Sequence, residues 1–415
     1  MAIVHPDDEA FIKNDVLSND AIRDLFTDRL GLTPTSITAS TRQGSFHRVY
    51  FIGLPQADHQ DNPWSGMDVV LRVARPSITK IKTENEVAVL RLLREAGLPV
   101  PRVAFYSSDP SNPLGYEYDC IERVSYPSLA DLWTSFTPAQ FDSLLDQFVD
   151  IHIKLFELDV PRVYGSLALD GSAAPVFEET MWQAQDIKRY FHAEPYNLTA
   201  ETFESLNPTS YYTSWPAYIS AFLKAYHHVI SNHPNVVFLR DLLEPLQALI
   251  AALDAGEIPW IRRLIDAPEL RPRLFHKDFH FGNILADTDG TVHGIIDWEF
   301  AGLGASFAKH SPLINNLVGY LRWLHGENET AKRLVATWPA EFQARLEKRA
   351  PEIAKVWARE IDRDTVLGME GNALSDLREF LRASLEVGVR GQENVETAKS
   401  TWKPVVEKSF KLLGF

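Results

Sequence analysis

Residues 274–298 read LFHKDFHFGNILADTDGTVHGIIDW, and the reading of this stretch decides the rest of the chain. Residues 283–286 form a short apolar run, Asp287-Thr288-Asp289-Gly290 is a strong turn sequence, and residues 291–296 are β-branched and apolar. Two such runs joined by a turn of that composition predict a β-hairpin. An antiparallel return carries the end of the second strand back beside the start of the first, so Asp297 is expected close to Asn283 and Asp278.

Hard oxygen ligands then converge on one point. Mg²⁺ takes a few carboxylate or amide oxygens together with substrate phosphates. Asn283 and Asp297 offer such oxygens, and Asp278 remains free to meet a substrate hydroxyl. His276, Asp278 and Asn283 are spaced H-x-D-x-x-x-x-N, which is the catalytic-loop spacing of kinases. On these residues the chain resembles the aminoglycoside phosphotransferase family, the small-molecule branch of the protein-kinase-like fold. That family's loop commonly reads H-G-D-x-H-x-x-N, and His276, Asp278, His280 and Asn283 reproduce it, with Asp297 in the IDW that stands where kinases have DFG. Lys277 replaces the usual glycine, and Phe281 a frequent proline.

Length and composition set the outer bounds. A chain of 415 residues predicts two or three domains or lobes. Apolar residues at 45% and charged residues at 23% are ordinary for a globular protein, which disfavours global disorder and a membrane class. Cys120 is the single cysteine, so no intrachain disulfide forms. The acidic start (Asp7, Asp8, Glu9) has no basic segment followed by an apolar one, and a cytoplasmic location is expected. No apolar run approaches a membrane span. A net charge of −15 argues against a nucleic-acid polymer as partner, and its even spread along the chain identifies no substrate.

Periodicity changes character near residue 124. A helical arm is expected from about residue 7 to 30, strands within 36–54 around Gly44, a further strand at 68–74, a helix over 79–96, and strands at 103–107 and 116–124. This β-β-β-α-β-β order is that of a kinase N-lobe. Beyond Pro127 the chain reads as mostly helical: 138–158 is amphipathic, and 329–415 fits a terminal bundle. Tyr211, Trp215, Tyr218, Phe222 and Tyr226 follow a helical stripe, read as core in preference to a substrate surface. The expected class is α+β: a protein-kinase-like bilobal fold with a small antiparallel sheet and one main helix in the N-lobe, and a large, mainly helical C-lobe. The boundaries are an arm at 1–35, a nucleotide-binding lobe at 36–124, and a C-lobe at 125–415 carrying the catalytic loop, the metal site and the substrate-binding helices.

The resemblance also assigns the nucleotide side. Gly44 and Ser45, in the first hairpin, are expected over the phosphates, to which they offer backbone N–H groups. Arg72 stands where kinases place the phosphate-pairing lysine, and a guanidinium can bind two phosphate oxygens at once. Glu86 is its expected partner, with Glu84 as the alternative. The strand through Ile121 and Glu122 is the expected hinge, where backbone groups hold the purine and leave ATP and GTP undistinguished.

The implied activity is Mg²⁺-dependent transfer of the γ-phosphoryl group of ATP or GTP to a hydroxyl of a small metabolite or aminoglycoside-like acceptor. In it Asp278 meets the hydroxyl, Asn283 and Asp297 hold Mg²⁺, and His276 organises the loop. Glu299, two residues beyond Asp297, is in reach of the metal or of an amine, but is read in preference as a solvated or capping carboxylate. Two alternatives stand beside this reading: a nucleotide-binding pseudokinase or scaffold, and a protein kinase. Against the latter, no A-P-E segment follows Asp297, because Ala301-Gly302-Leu303-Gly304 comes at once.

Overall fold

The computed structural model describes residues 17–41, 46–56, 62–305, 313–391 and 394–415. Its first helix, α1 (Asn19–Leu30), is opened by Ser18, whose side chain accepts from Ala21 N–H, and closed by Gly31 at φ 66°. Strands β1 (Ser36–Ala39), β2 (His47–Gly53), β3 (Asp68–Ala74), β4 (Val103–Ser107) and β5 (Tyr118–Glu122) form one sheet in the order β1-β2-β3-β5-β4. Every pairing in it is antiparallel. The main helix α2 (Ile81–Glu95) falls between β3 and β4, so the β-β-β-α-β-β order holds. Gly44 and Ser45 lie outside the described residues, as do residues 7–16 of the expected arm.

One face of the sheet packs with α1 on an apolar core that includes Phe26, Tyr50, Leu71, Phe105 and Tyr118. Alternation along β2 and β3 puts those residues on one side and leaves Val49, Val70 and Arg72 for the other, which lines a cleft.

Beyond the sheet, helices dominate. The predicted amphipathic helix is α3 (Pro138–Glu157), started by a capping box between Thr137 and Gln140 with Pro138 in its first turn. Its buried row Phe141, Leu144, Leu145, Phe148, Ile151, His152 and Leu155 is the row expected from spacing. Helix α4 (Trp215–Asn232) buries Trp215, Tyr218, Phe222 and Tyr226 in a second C-lobe core. Tyr211 departs from that stripe, because the helix begins only at Trp215 behind its Ser214 cap, and Tyr211 is exposed.

The hairpin forms where expected, as β7 (Ile284–Ala286) with β8 (Val292–Ile295), and the strand before the loop is β6 (Arg273–Phe275). Asp287 closes the turn by accepting from the N–H groups of Asp289 and Thr291, and Gly290 takes φ 85°, where a side chain would be strained. The chain then returns as β9 (Gly302–Gly304), antiparallel to β6. The loop between β6 and β7 is therefore clamped at both ends by strand pairs. Helices α5 (Leu313–His325), α6 (Glu329–Arg349), α7 (Arg363–Arg390) and α8 (Lys403–Leu413) complete the C-lobe. Val406, Phe410 and Leu413 dock α8 on the second core. Among the described residues no helix is long and apolar enough to cross a membrane.

Candidate active site

A cleft of about 1280 Å³ lies between the sheet and the helical region. Val49, Val70, Arg72, Ile121 and Glu122 line it from the sheet, and Asp278, Asn283 and Asp297 line it from the catalytic loop and hairpin. The hairpin argument is realised in one bond: Ile296 N–H donates to the Asn283 carbonyl at 2.9 Å, which brings Asp297, the next residue, beside Asn283. Asp297 adopts φ 68°, a left-handed conformation that few non-glycine residues take.

His276 holds the loop's shape. One ring nitrogen, Nδ1, accepts from Asp278 N–H at 3.1 Å, so the proton sits on Nε2, which donates to the Ile296 carbonyl at 2.7 Å. The ring lies 4.4 Å from that of Trp298, and burial lowers its pKa to about 4, so the imidazole is neutral. Asn283 Nδ2 donates to the Asp278 carbonyl at 2.9 Å, which commits the amide nitrogen and leaves the amide oxygen to act as a ligand.

Asp278 is engaged at both oxygens. His280 Nδ1 accepts from Gly282 N–H, so its Nε2 carries the proton toward Asp278 Oδ2 at 3.3 Å, and the Tyr320 hydroxyl of α5 donates to Oδ1. Burial pushes the Asp278 carboxyl up, but these hydrogen bonds outweigh it and hold the pKa below the usual carboxylate range. Asp297 is the opposite case: burial, reinforced by the negative charges of Glu299 and Glu86, drives its pKa well above that range. A buried carboxylate crowded by others, which the charge of Arg72 offsets only in part, is what a divalent ion stabilises. The donor set fits Mg²⁺, since Asp297 and Asn283 present hard oxygens at one cleft wall.

Across the cleft, Arg72 meets Glu86 at 2.7 Å. Glu84, the alternative, instead accepts from the Ser108 hydroxyl. Arg72 also pairs with Asp119, its cross-strand neighbour on β5, through Nε at 2.8 Å and Nη2 at 2.9 Å. Burial opposes the guanidinium's charge, yet the two carboxylates raise its pKa well above normal. Glu86 is pushed up by burial and by Asp119 even with Arg72 beside it. His47, Glu86 and Asp119 bring ligand atoms within 4.8 Å of one another, but Arg72 already supplies the cation for that group.

Glu299 overturns the preferred reading and bears out the alternative of an amine partner. It is not solvated: its side chain is 13% exposed, and Oε2 lies 3.2 Å from Lys82 Nζ and 3.1 Å from His47 Nδ1. Burial alone would raise its pKa, and Lys82 with His47 reverses that, holding it well below the usual range. Lys82 Nζ donates to His47 Nε2 at 2.9 Å, and burial with the Lys82 charge lowers the His47 pKa to about 4. This buried trio ties α2 and β2 to the segment after Asp297. Asn85 adds a second tie, donating to the Ala301 carbonyl at 2.9 Å and accepting from Leu167 N–H at 2.9 Å.

Sequence reasoning missed Lys82, His47, Asp119 and Tyr320. The cross-strand position of Asp119 opposite Arg72 was the one usable signal, since β3 and β5 were both expected. Lys277, in the glycine position of the loop, pairs with Glu179 at 3.0 Å and sits 4.8 Å from the centre of the Phe300 ring.

The model of the phosphotransferase enzyme family matches residues 43–306, more than half of the chain. Among curated proteins, the subtelomeric hrmA-associated cluster proteins of two Aspergillus fumigatus strains are 29% identical over 164 residues, 38% of this chain. The match spans 30% of the length of these relatives. Among solved structures, a thermostable mutant of aminoglycoside phosphotransferase APH(4)-Ia with ADP and hygromycin B is 16% identical, with 94% of this chain and 98% of that one covered at a TM-score of 0.46. A ternary complex of APH(2'')-IIa with streptomycin and ATP is 11% identical, with 96% and 99% covered at a TM-score of 0.45.

Proposed function

Since the chain belongs to the phosphotransferase enzyme family, we propose that it is a Mg²⁺-dependent small-molecule kinase, moving the γ-phosphoryl group of ATP or GTP to a hydroxyl of a small acceptor. The observation that carries this reading is the meeting of Asp278, Asn283 and Asp297 on one wall of a cleft whose opposite wall holds Arg72.

Asp278, kept ionised by its hydrogen bonds, orients an acceptor hydroxyl and receives its proton. The oxygens of Asn283 and Asp297 hold the metal, and Mg²⁺ when bound neutralises phosphate charge. Arg72 is held rigidly through Nε and Nη2 by Asp119 and Glu86, which leaves Nη1 as the guanidinium nitrogen for a phosphate oxygen. His276 and the hairpin keep these groups in register, which is how a kinase with little covalent chemistry gains most of its rate. The purine is placed against the end of β5 at Ile121 and Glu122, where the Glu122 N–H is already given to the Arg102 carbonyl at 2.8 Å and its carboxylate is paired with Arg102 Nε at 2.9 Å. Gly44 and Ser45, expected from the sequence to meet the phosphates, lie outside the described residues.

A phosphoryl-transfer screen over hydroxylated metabolites and aminoglycosides, with Asp278→Asn as the blank, tests the reading. Mg²⁺-dependent release of ADP or GDP with one acceptor, lost in the blank, is the expected result. No turnover with any acceptor, together with nucleotide affinity unaltered by Asp278→Asn and Asp297→Asn, would falsify it in favour of a nucleotide-binding scaffold.

A further inference from the structure

Helix α5 lies with one face on the catalytic loop. Asn316 Nδ2 donates to the Lys277 carbonyl at 3.4 Å, and one turn further on the Tyr320 hydroxyl donates to Asp278 Oδ1. The Tyr320 ring is 4.6 Å from that of His280, which itself reaches Asp278, so ring and hydroxyl are held together. Tyr320 lines the same cleft as Asn283 and Asp297. A hydroxyl bonded to the carboxylate that takes the proton, in the cavity that receives the phosphates, meets the placement asked of an acceptor. The hydroxyl in that place belongs to the protein.

We propose that Tyr320 is itself an acceptor: in the nucleotide-loaded protein its phenolic oxygen takes the γ-phosphoryl group within the same chain, which makes Tyr320 a self-phosphorylation site. This inference rests on the phosphotransfer reading given above. In the step, a bond forms between Tyr320 Oη and the γ-phosphorus as the bond from that phosphorus to the β,γ-bridging oxygen breaks. The phenolic proton passes to the Asp278 carboxylate and then to solvent, and the nucleoside diphosphate leaves.

The product alters the cleft. Phosphotyrosine carries about −1.5 to −2 charge at neutral pH and no longer has a hydroxyl proton to donate to Asp278. Asp278, which its hydrogen bonds keep ionised, then faces the added charge directly. Repulsion drives the side chain off Asp278 and frees that carboxylate for a hydroxyl from solution. The unmodified chain thus has its acceptor position filled, and the modified chain has it open.

The test is made on the purified full chain, freed of phosphate by a phosphatase and incubated with ATP, with and without Mg²⁺. Phosphorylated residues are mapped by tandem mass spectrometry while ADP release is followed in parallel. Phosphate on Tyr320 is expected only with Mg²⁺, at a rate independent of protein concentration, and lowered by roughly 10²-fold or more in Asp278→Asn. Tyr320→Phe removes that label, but mapping on the unaltered chain decides the matter whether or not the variant folds. Asp278-dependent ADP release with no phosphate on Tyr320 overturns the inference and leaves the phosphotransfer reading standing. Labelling that accelerates with protein concentration overturns the intrachain step. Absence of both the label and any Asp278-dependent turnover with added hydroxyl compounds overturns the two readings together.

Discussion

Arg72 and Asp119 face each other across β3 and β5, and two guanidinium nitrogens meet both carboxylate oxygens at 2.8 and 2.9 Å. With Glu86 on the other side, one buried cation serves two buried carboxylates. Arg72→Met keeps most of the volume and removes the charge, leaving both acids unpaired, and is expected to cost about 3–5 kcal/mol of stability. Urea unfolding measures it. Adding Glu86→Gln and Asp119→Asn to Arg72→Met should recover much of the loss, while nucleotide binding stays weak in calorimetry. A triple variant as unstable as the single one would show that packing, and not charge, sets the effect.

Asp297 is destabilised where it stands, and its backbone conformation suits asparagine better than alanine. Asp297→Asn is therefore expected to leave the ligand-free protein at least as stable as the parent while lowering Mg²⁺-dependent turnover by roughly 10²-fold or more. Differential scanning fluorimetry and an ADP-release assay read the two effects separately. Chelation with EDTA should abolish turnover in the parent, and Mg²⁺ should restore it.

His152 is buried on α3 with rings of Phe156, Phe342 and Trp357 at 6.0, 5.4 and 5.1 Å, and its Nε2 has no hydrogen-bond partner among the described residues. Burial, with a smaller effect of Arg273, lowers its pKa from 6.5 to about 3. The folded state therefore binds fewer protons than the unfolded state between these values, so stability is complete above pH 6.5 and falls as pH drops toward 3. The slope is about 1.4 kcal/mol per pH unit for one such group. His47 and His276, each lowered to about 4, act in the same direction. His152→Phe should flatten the decline, making the variant relatively more stable at pH 5 than at pH 7.5 in chemical denaturation. An unchanged slope would remove His152 from the account.

Gly294 on β8 has room for no side chain, since a Cβ there would lie 2.9 Å from a methyl carbon of Val124. Val124 follows β5 and lines the cleft. Gly294→Val is expected to push the hinge away from the hairpin, with an overpacking cost of about 1–3 kcal/mol and a nucleotide dissociation constant raised several-fold. Nucleotide titration followed by calorimetry checks it. Paired truncation with Val124→Ala should restore part of the affinity.

The sequence by itself determined what depends on neighbours along the chain. Turn residues 287–290, the alternation of β1 and β2, the apolar row of α3 and the spacing of His276, Asp278 and Asn283 are set by local backbone preference and by periods of two or 3.6 residues. Those rules fixed the fold class and, through hairpin geometry, brought Asp297 to Asn283. Tertiary structure alone decided what depends on how distant segments pack. Lys82 meets Glu299 across 217 residues, and Tyr320 meets Asp278 across 42. No periodicity encodes such pairs, because each follows from the position of one helix against a loop, set by the shape of the cores beneath them. Glu299 shows the consequence: its residue type and place in the motif suggested a solvated acid, and only the packing of α2 over it made it a buried partner of Lys82 and His47.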